Sequence, residues 1–536
     1  FDPETAVGKS LFDHTIWVIC SDGDLEEGVS AEASSLAGTQ ELGNLVIIYD
    51  DNRISIEGDT HNAFTEDVSA RYRAYGWQVI DVPAAADGRI DLPAVDAAMI
   101  SAKAELTKPS LIRMHSVIAW PAPKAKGTAG SHGSALGAEE IAETKKILGL
   151  NPDEHFALPA DVLAHVRKVK DRGAQARKDW DSRLATWQAS NPNEAALLKR
   201  LENRELPAGW DSELPVFEAG TQLATRAASG KAINALAKKM PELWGGSADL
   251  AGSNNTDIDG GGSFLPATSA IKNANPYGRI VHFGIREHAM GSAMVGLALH
   301  GGVYPAGGTF FVFFDYMKPP IRLAALSKAK CLFVFSHDSV GVGEDGPTHQ
   351  PIEHLAALRA IPDLQVIRPG DANETSQAIR AAYEFDGPTA VVLSRQNLPV
   401  VTDGSAVTTG AGIVHAVDGT PDVVIVATGS EVHIAIAAAQ ELGAIGHKVQ
   451  AVSLPSWDRF EAYRTANPEL AERILPRNVP TVSVEAGSTF GWERYADVCV
   501  GIDRFGASAP GSEVLDRLGI SVANIKNSVL GLVSQR

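Results

Sequence analysis

The chain has 536 residues, 44% hydrophobic and 21% charged, which is ordinary for globular protein and leaves room for about three or four domains. A net charge of −18 disfavours nucleic acid as a general partner but leaves room for local sites that take small phosphates. No apolar run reaches membrane-spanning length, and Cys20, Cys331 and Cys499 form neither a metal spacing nor a disulfide framework, which points to a reducing, cytoplasmic compartment.

In chain order, HTIWVIC (14–20) predicts a buried strand, being short, apolar and β-branched. Residues 26–42 predict a helix with Val29, Ala33, Leu36 and Ala37 on one face and Gly43 as its stop. LVIIYD (45–50) completes a βαβ unit, and WQVIDV (77–82) and SLIRMHSV (110–117) continue the alternation. Only one strand precedes the acidic turn at 22–27, fewer than a doubly wound domain places before its ligand site, so further upstream residues are expected. Residues 160–206, rich in charge and alanine, predict connecting helices. A second α/β block begins near 216, with strands at 279–284, 331–337, 364–369 and 389–395. Residues 396–410 read as a linker, and a third block carries strands at 422–431, 448–456 and 481–487.

Two strand ends carry oxygen ligands. VICSDGDLEEG (18–28) places four carboxylates in six residues, and VIIYDDNRIS repeats the strand-then-acid pattern about thirty residues on. Asp22, the amide oxygen of Asn52 and the carbonyl of Ile54 would suit a hard cation such as Mg²⁺ or Ca²⁺. Gly23 lets the backbone approach a ligand, and the adjacent helix N-terminus suits a diphosphate. Carboxylates that only cap a helix, beside an Asp-Asn turn, would give the same spacing.

The string SDGDLEEGVSAEASSLAGTQELGNLVIIYDDNRISIEG resembles the thiamine-diphosphate motif in its transketolase form, with Ser21 in place of the first motif glycine. The resemblance implies that Asp22, Asn52 and the Ile54 carbonyl hold Mg²⁺ (Ca²⁺ or Mn²⁺ as substitutes) on the cofactor diphosphate and that Gly23 lines the site. It places Glu27 and Glu32 near a dimer interface, and leaves Asp24 and Glu26 to capping or solvent. HFGIREHAM (282–290) resembles the family's pyrimidine-side motif, which implies that Glu287 shares a proton with a ring nitrogen of the cofactor and so activates it. Burial would hold that carboxyl partly protonated.

TFFVFFDY (309–316) sets Phe310, Phe313 and Tyr316 at helical spacing, and the resemblance makes these a wall around the pyrimidine. Asp249, in GGSADLAGSN, matches a residue near the thiazolium ring. FSHDSVGVGEDGPTHQPIEH (335–354) leads a strand into a glycine-rich loop with His337, Asp345 and His349. By resemblance these line a sugar-phosphate channel: His337 at the phosphate end or nearby hydroxyls, Asp345 on a hydroxyl, His349 near the reacting carbonyl. Arg226, Ser253 and Arg395 match the phosphate grip, and His132, in GSHGSALG, matches a histidine touching diphosphate and substrate.

The resemblance covers nearly the whole chain and implies three consecutive α/β domains with mostly parallel sheets. They run as a diphosphate-binding domain (1–150), a helical connecting segment (151–215), a pyrimidine-binding domain (216–395), a linker (396–409) and a C-terminal domain (410–536). The implied protein is a cytoplasmic homodimer of the pentose phosphate pathway, with active sites at the interface and no nucleic-acid or membrane partner. It would pass a two-carbon ketol unit from xylulose 5-phosphate to ribose 5-phosphate or erythrose 4-phosphate. A dihydroxyacetone synthase would share the machinery, and a non-catalytic relative used for binding would share the fold. The loop at 341–349 and the third block fit transketolase better than a 1-deoxyxylulose-phosphate synthase.

Overall fold

The computed structural model describes residues 1–2 and 5–534. It divides into two compact units, Phe1–Arg200 with Leu265–Ser269, and Leu201–Phe264 with Ala270–Arg536. The first unit holds one parallel sheet of four strands: β1 (Ile16–Ser21), β2 (Leu45–Asp51), β3 (Gln78–Val82) and β4 (Ser110–His115), in the spatial order β1-β2-β4-β3. Ser21 lies opposite Asp50 in the β1–β2 register, so the chain leaves both strands at one sheet edge. That register puts the two acidic turns side by side.

Two expectations for this unit are corrected. Strand β1 is an edge strand, not a buried one: Ile16, Trp17, Val18 and Ile19 are exposed, Ile19 at 78%. A short apolar run reports strand propensity but not which side of a sheet is covered. The helix expected over 26–42 forms as α1 (Asp22–Glu26) and α2 (Gly28–Thr39), broken where Glu27 turns extended at ψ 128°. Its buried face is rotated from the expected one, because Ser34 is buried and Ala33 is exposed. Ser34 is satisfied there, its hydroxyl 3.0 Å from Tyr72 Oη and its carbonyl accepting from Trp77 Nε1. Gly43 does not end the helix; a Cβ on it would stand 2.2 Å from the backbone of Leu106, so close packing explains the glycine. The connecting segment forms helices Ala160–Ser190 and Pro192–Glu202. The longer one packs Trp187 edge-on to Phe12, ring centres 4.9 Å apart.

Among the described residues the second unit holds two large sheets and a two-stranded ribbon. An eight-stranded sheet is centred on Leu243–Ser247, Tyr304–Phe310 and Leu332–Ser336. Two of these strands, LWGGS and YPAGGTF, were not expected from the sequence. The five-stranded sheet runs parallel except for its antiparallel edge Gly412–His415. The stretch read as a linker is partly ordered structure, since Asn397–Pro399 pairs antiparallel with Gln222–Ala224 and Val400 and Val407 are buried. Buried apolar side chains on this ribbon hold it down as core.

Candidate active site

In the first unit, the Asp22 carboxyl is 2% exposed at the start of α1. Tyr49 Oη donates to its Oδ1 at 2.6 Å and the Arg53 amide donates to its Oδ2 at 3.0 Å. Burial raises its pKa above the usual carboxylate value, and the neighbouring Asp51 adds to the rise. Asp51 is neutralised by Arg113 at 2.7 Å and also meets His115 Nδ1 at 2.9 Å, whereas Asp22 forms no ion pair among the described residues. A buried carboxylate with oriented lone pairs and no cation of its own is what a metal site requires.

The Asn52 amide oxygen accepts from the Ile54 amide at 3.0 Å and keeps a second lone pair. A Cβ on Gly23 would meet nothing within 4 Å, so protein packing does not demand glycine there and the open side is free for a ligand. A cavity of about 280 Å³ opens beside Asp22, lined also by Tyr49, Arg53 and Phe64. The donor set and the open glycine fit a metal-bound diphosphate. Ser21 is harmless to the turn: its φ of −120° needs no glycine, and its amide donates to Asp24 Oδ2 at 2.8 Å. Asp24 is therefore a capping residue. His132 is exposed at the end of the short turn Ala129–Ser131.

The second unit collects a different set. Glu287 is 8% exposed and opens the helix Glu287–His300 just beyond strand Ile280–His282. That helix packs tightly on Phe314–Leu326: a Cβ on Gly291 would lie 2.7 Å from the Pro320 ring. The aromatic residues do not share one helix, because Phe310 ends a strand, Phe313 sits in a 3₁₀ turn and Tyr316 lies in the first turn of the helix Phe314–Leu326. They still make a continuous wall, with Phe310 stacked on Phe313 at 6.1 Å and Phe313 beside Tyr316 at 6.2 Å.

Strand register brings in the histidine loop. Phe310 lies opposite Ser336, so His337 emerges beside it and stacks on its ring at 3.7 Å. His349 stands edge-on to Phe313 at 5.7 Å and to Phe310 at 6.4 Å. His337 has a left-handed backbone, φ 62°, and its Nδ1 meets Ser336 Oγ at 2.9 Å; that hydroxyl donates to Asn254 Oδ1 at 2.6 Å. Burial pushes its pKa down to about 3, helped by the charges of Arg226, Arg395 and His349, so the imidazole is neutral near pH 7.

Arg226 Nη1 donates to the Ser253 carbonyl at 2.7 Å. Its pKa is lowered by burial first and then by the charge of Arg395. Neither guanidinium has a carboxylate partner among the described residues. Two like charges around a neutral histidine make a place for an anion. Asp345 and Asp249 are exposed, the latter in a left-handed turn at φ 63°. The sequence did not single out Tyr49, Asn254 or Ser336, whose roles depend on contacts distant in the chain. Outside these sets, Asp315, Glu353 and His354 bring ligand atoms within 4.8 Å of one another, but His354 Nε2 already meets the Val312 carbonyl at 3.2 Å and both acids are exposed.

Three family descriptions match in series: transketolase, thiamine diphosphate binding domain, over 2–207; transketolase, pyrimidine binding domain, over 221–401; and transketolase-like C-terminal domain over 410–521. A transketolase of Mycobacterium tuberculosis is 48% identical over 526 residues, spanning 95% of this chain and 74% of the relative. One from Geobacillus stearothermophilus is 46% identical, spanning 98% and 79%. Among solved structures, transketolase from Leishmania mexicana superposes with a TM-score of 0.92 at 40% identity, covering 98% of this chain and 77% of that one. The Pichia stipitis enzyme in complex with sedoheptulose 7-phosphate gives the same score and identity, covering 97% and 76%.

Proposed function

The chain belongs to the transketolase family: it is an enzyme that reversibly transfers a two-carbon ketol unit from a ketose phosphate to an aldose phosphate, and we propose how its residues share that work. Bound thiamine diphosphate supplies the carbanion chemistry and the electron sink that ketol transfer needs. Asp22, Asn52 and the Ile54 carbonyl hold Mg²⁺, or Ca²⁺ or Mn²⁺ in its place, against the diphosphate, and Gly23 gives it room. Glu287 holds and returns a proton at the pyrimidine nitrogen. Phe310, Phe313 and Tyr316 wall that ring and exclude water, and Asp249 stands near the thiazolium. Arg226, Arg395, Ser253 and His337 take the sugar phosphate, Asp345 reads a hydroxyl, and His349 and His132 assist proton transfer at the reacting end.

The observation that carries the substrate side is the pair of guanidiniums, without carboxylate partners among the described residues, beside the neutral His337. Arg395→Ala is expected to raise KM for xylulose 5-phosphate by about 10- to 100-fold, the worth of one charge-assisted bond. An unchanged KM would remove Arg395 from the grip.

We further infer a cytoplasmic homodimer of the pentose phosphate pathway, its active sites at the interface, with the metal turn supplied by one chain and Glu287 by the other. The domain bounds proposed are 1–150, 216–395 and 410–536, joined by 151–215 and 396–409. Cofactor-stripped protein is expected to convert xylulose 5-phosphate and ribose 5-phosphate to sedoheptulose 7-phosphate only after both thiamine diphosphate and Mg²⁺ are restored. Product without either would contradict the cofactor assignment. A preference for formaldehyde over ribose 5-phosphate as acceptor would instead make it a dihydroxyacetone synthase.

A further inference from the structure

His337 and Asp345, both assigned to the sugar phosphate above, sit on one loop whose supports lie in the C-terminal domain. Asp338 follows His337 and is 2% exposed. Arg368, fully buried at the end of strand Gln365–Ile367, grips it with a fork: Nε donates to Asp338 Oδ2 at 3.0 Å and Nη2 at 2.8 Å. Asp338 Oδ1 has no hydrogen-bond partner among the described residues, so the fork is the anchor of that side chain. The other arm of Arg368 crosses to the C-terminal domain. Its Nη1 donates to Thr428 Oγ1 at 2.9 Å, to the Thr428 carbonyl at 3.2 Å and to Glu431.

The contact is built into the backbone as well. Gly429 has φ 54°, and a Cβ there would stand 2.4 Å from the guanidinium carbon of Arg368. The Arg368 amide donates to the Pro455 carbonyl at 2.8 Å. Behind it, Thr428 Oγ1 donates to Glu485, whose carboxylate is held by Arg359 at 2.8 and 2.7 Å. Farther along the loop the same domain takes hold again. Gln350 Nε2 bridges the carbonyls of Gly343 and Ala507, 2.9 Å to each, and Ser508 Oγ donates to the Glu344 carbonyl at 2.6 Å.

We propose that Arg368 is a positioning residue for ketol transfer, through which the C-terminal domain clamps Asp338 and so holds the adjacent His337 in its phosphate-binding conformation. The backbone of His337 is in the left-handed region, which is uncommon for a residue with a Cβ and here coincides with a buried, clamped neighbour. Asp338, next in the chain, is the point where that constraint is applied. A planar guanidinium suits the task because donors along different edges of its plane reach two domains at once. The inference rests on the reading of His337 as a phosphate-end contact.

Its test compares phosphorylated xylulose 5-phosphate with unphosphorylated xylulose as donors. Asp338→Asn keeps the shape and removes the charge. Thr428→Val trims the clamp from the far side without leaving an unpaired charge, which guards against a variant that fails to fold. Each is expected to raise KM for xylulose 5-phosphate about 10-fold or more, the scale of a small misplacement at a reacting site. Turnover of xylulose should stay within about twofold, since the loss belongs to phosphate binding. Thr428→Ser should restore the parent KM. Equal losses on both donors would mark a merely structural role and overturn the proposal. So would no loss on either. A His337→Ala control separates the levels: impairment of that variant alone leaves the site reading standing and sinks the clamp, and no impairment of it sinks both.

Discussion

Glu287→Gln is expected to lower kcat by about 100- to 10,000-fold while cofactor remains bound, the range carried by one positioned acid–base group. Gln keeps the size of the side chain and one acceptor oxygen, so it can still meet a ring nitrogen, but it cannot hold and release a proton there. The structure gives reason to expect a clean effect. Glu287 is 8% exposed at the first position of its helix, and that helix is fixed on Phe314–Leu326 by the close approach at Gly291. A same-sized replacement therefore disturbs little else. The measurement is kcat with cofactor affinity determined in parallel, together with the rate at which the thiazolium proton of bound cofactor exchanges with deuterium. Both rates should fall together. Normal turnover by a variant with cofactor bound would remove Glu287 from activation.

The sequence was most legible where strand propensity and burial agree, as at Leu45–Asp51, Thr389–Leu393 and Val423–Ala427. It was illegible at LWGGS and YPAGGTF, where glycine and proline mask two central strands. Packing explains why those residues are there. A Cβ on Gly245 would lie 2.2 Å from the Thr256 carbonyl oxygen, and one on Gly307 would lie 2.3 Å from Met294 Sδ. Neighbouring elements approach so closely that tertiary fit overrides β propensity. The site divides in the same way. His337, His349 and the aromatic wall were visible because they fall in one or two short strings, and parallel register then sets Phe310 against His337. Arg368 was not visible: residues 364–369 read only as a strand, and the partners Thr428 and Glu431 lie about sixty residues on. Pattern within a window cannot report a charge pair closed by the fold.

At the metal turn, Asp22→Asn should weaken Mg²⁺-dependent cofactor binding by at least about 100-fold, since even outer-shell changes at metal sites cost 10- to 100-fold. The same substitution should act in the opposite direction on the protein without metal. The folded pKa of Asp22 is raised by burial above the ordinary carboxylate value. The folded state then binds the proton more tightly than the unfolded chain, so stability without metal is greatest below the unfolded value and falls as pH rises through the raised one. Asn cannot ionise, so that loss should vanish and the metal-free variant should melt higher than the parent at neutral pH. Mg²⁺ reverses the balance in the parent, because it favours the ionised carboxylate and should release a proton on binding. Melting curves with and without Mg²⁺ and cofactor, taken at pH 5 and pH 7.5, read both effects. A parent raised by the ligands beside a variant that is not, with the order of the two inverted when ligands are absent, is the expected pattern. A variant still stabilised by Mg²⁺ plus cofactor as strongly as the parent would assign Asp22 to capping the helix and leave the cation to other ligands.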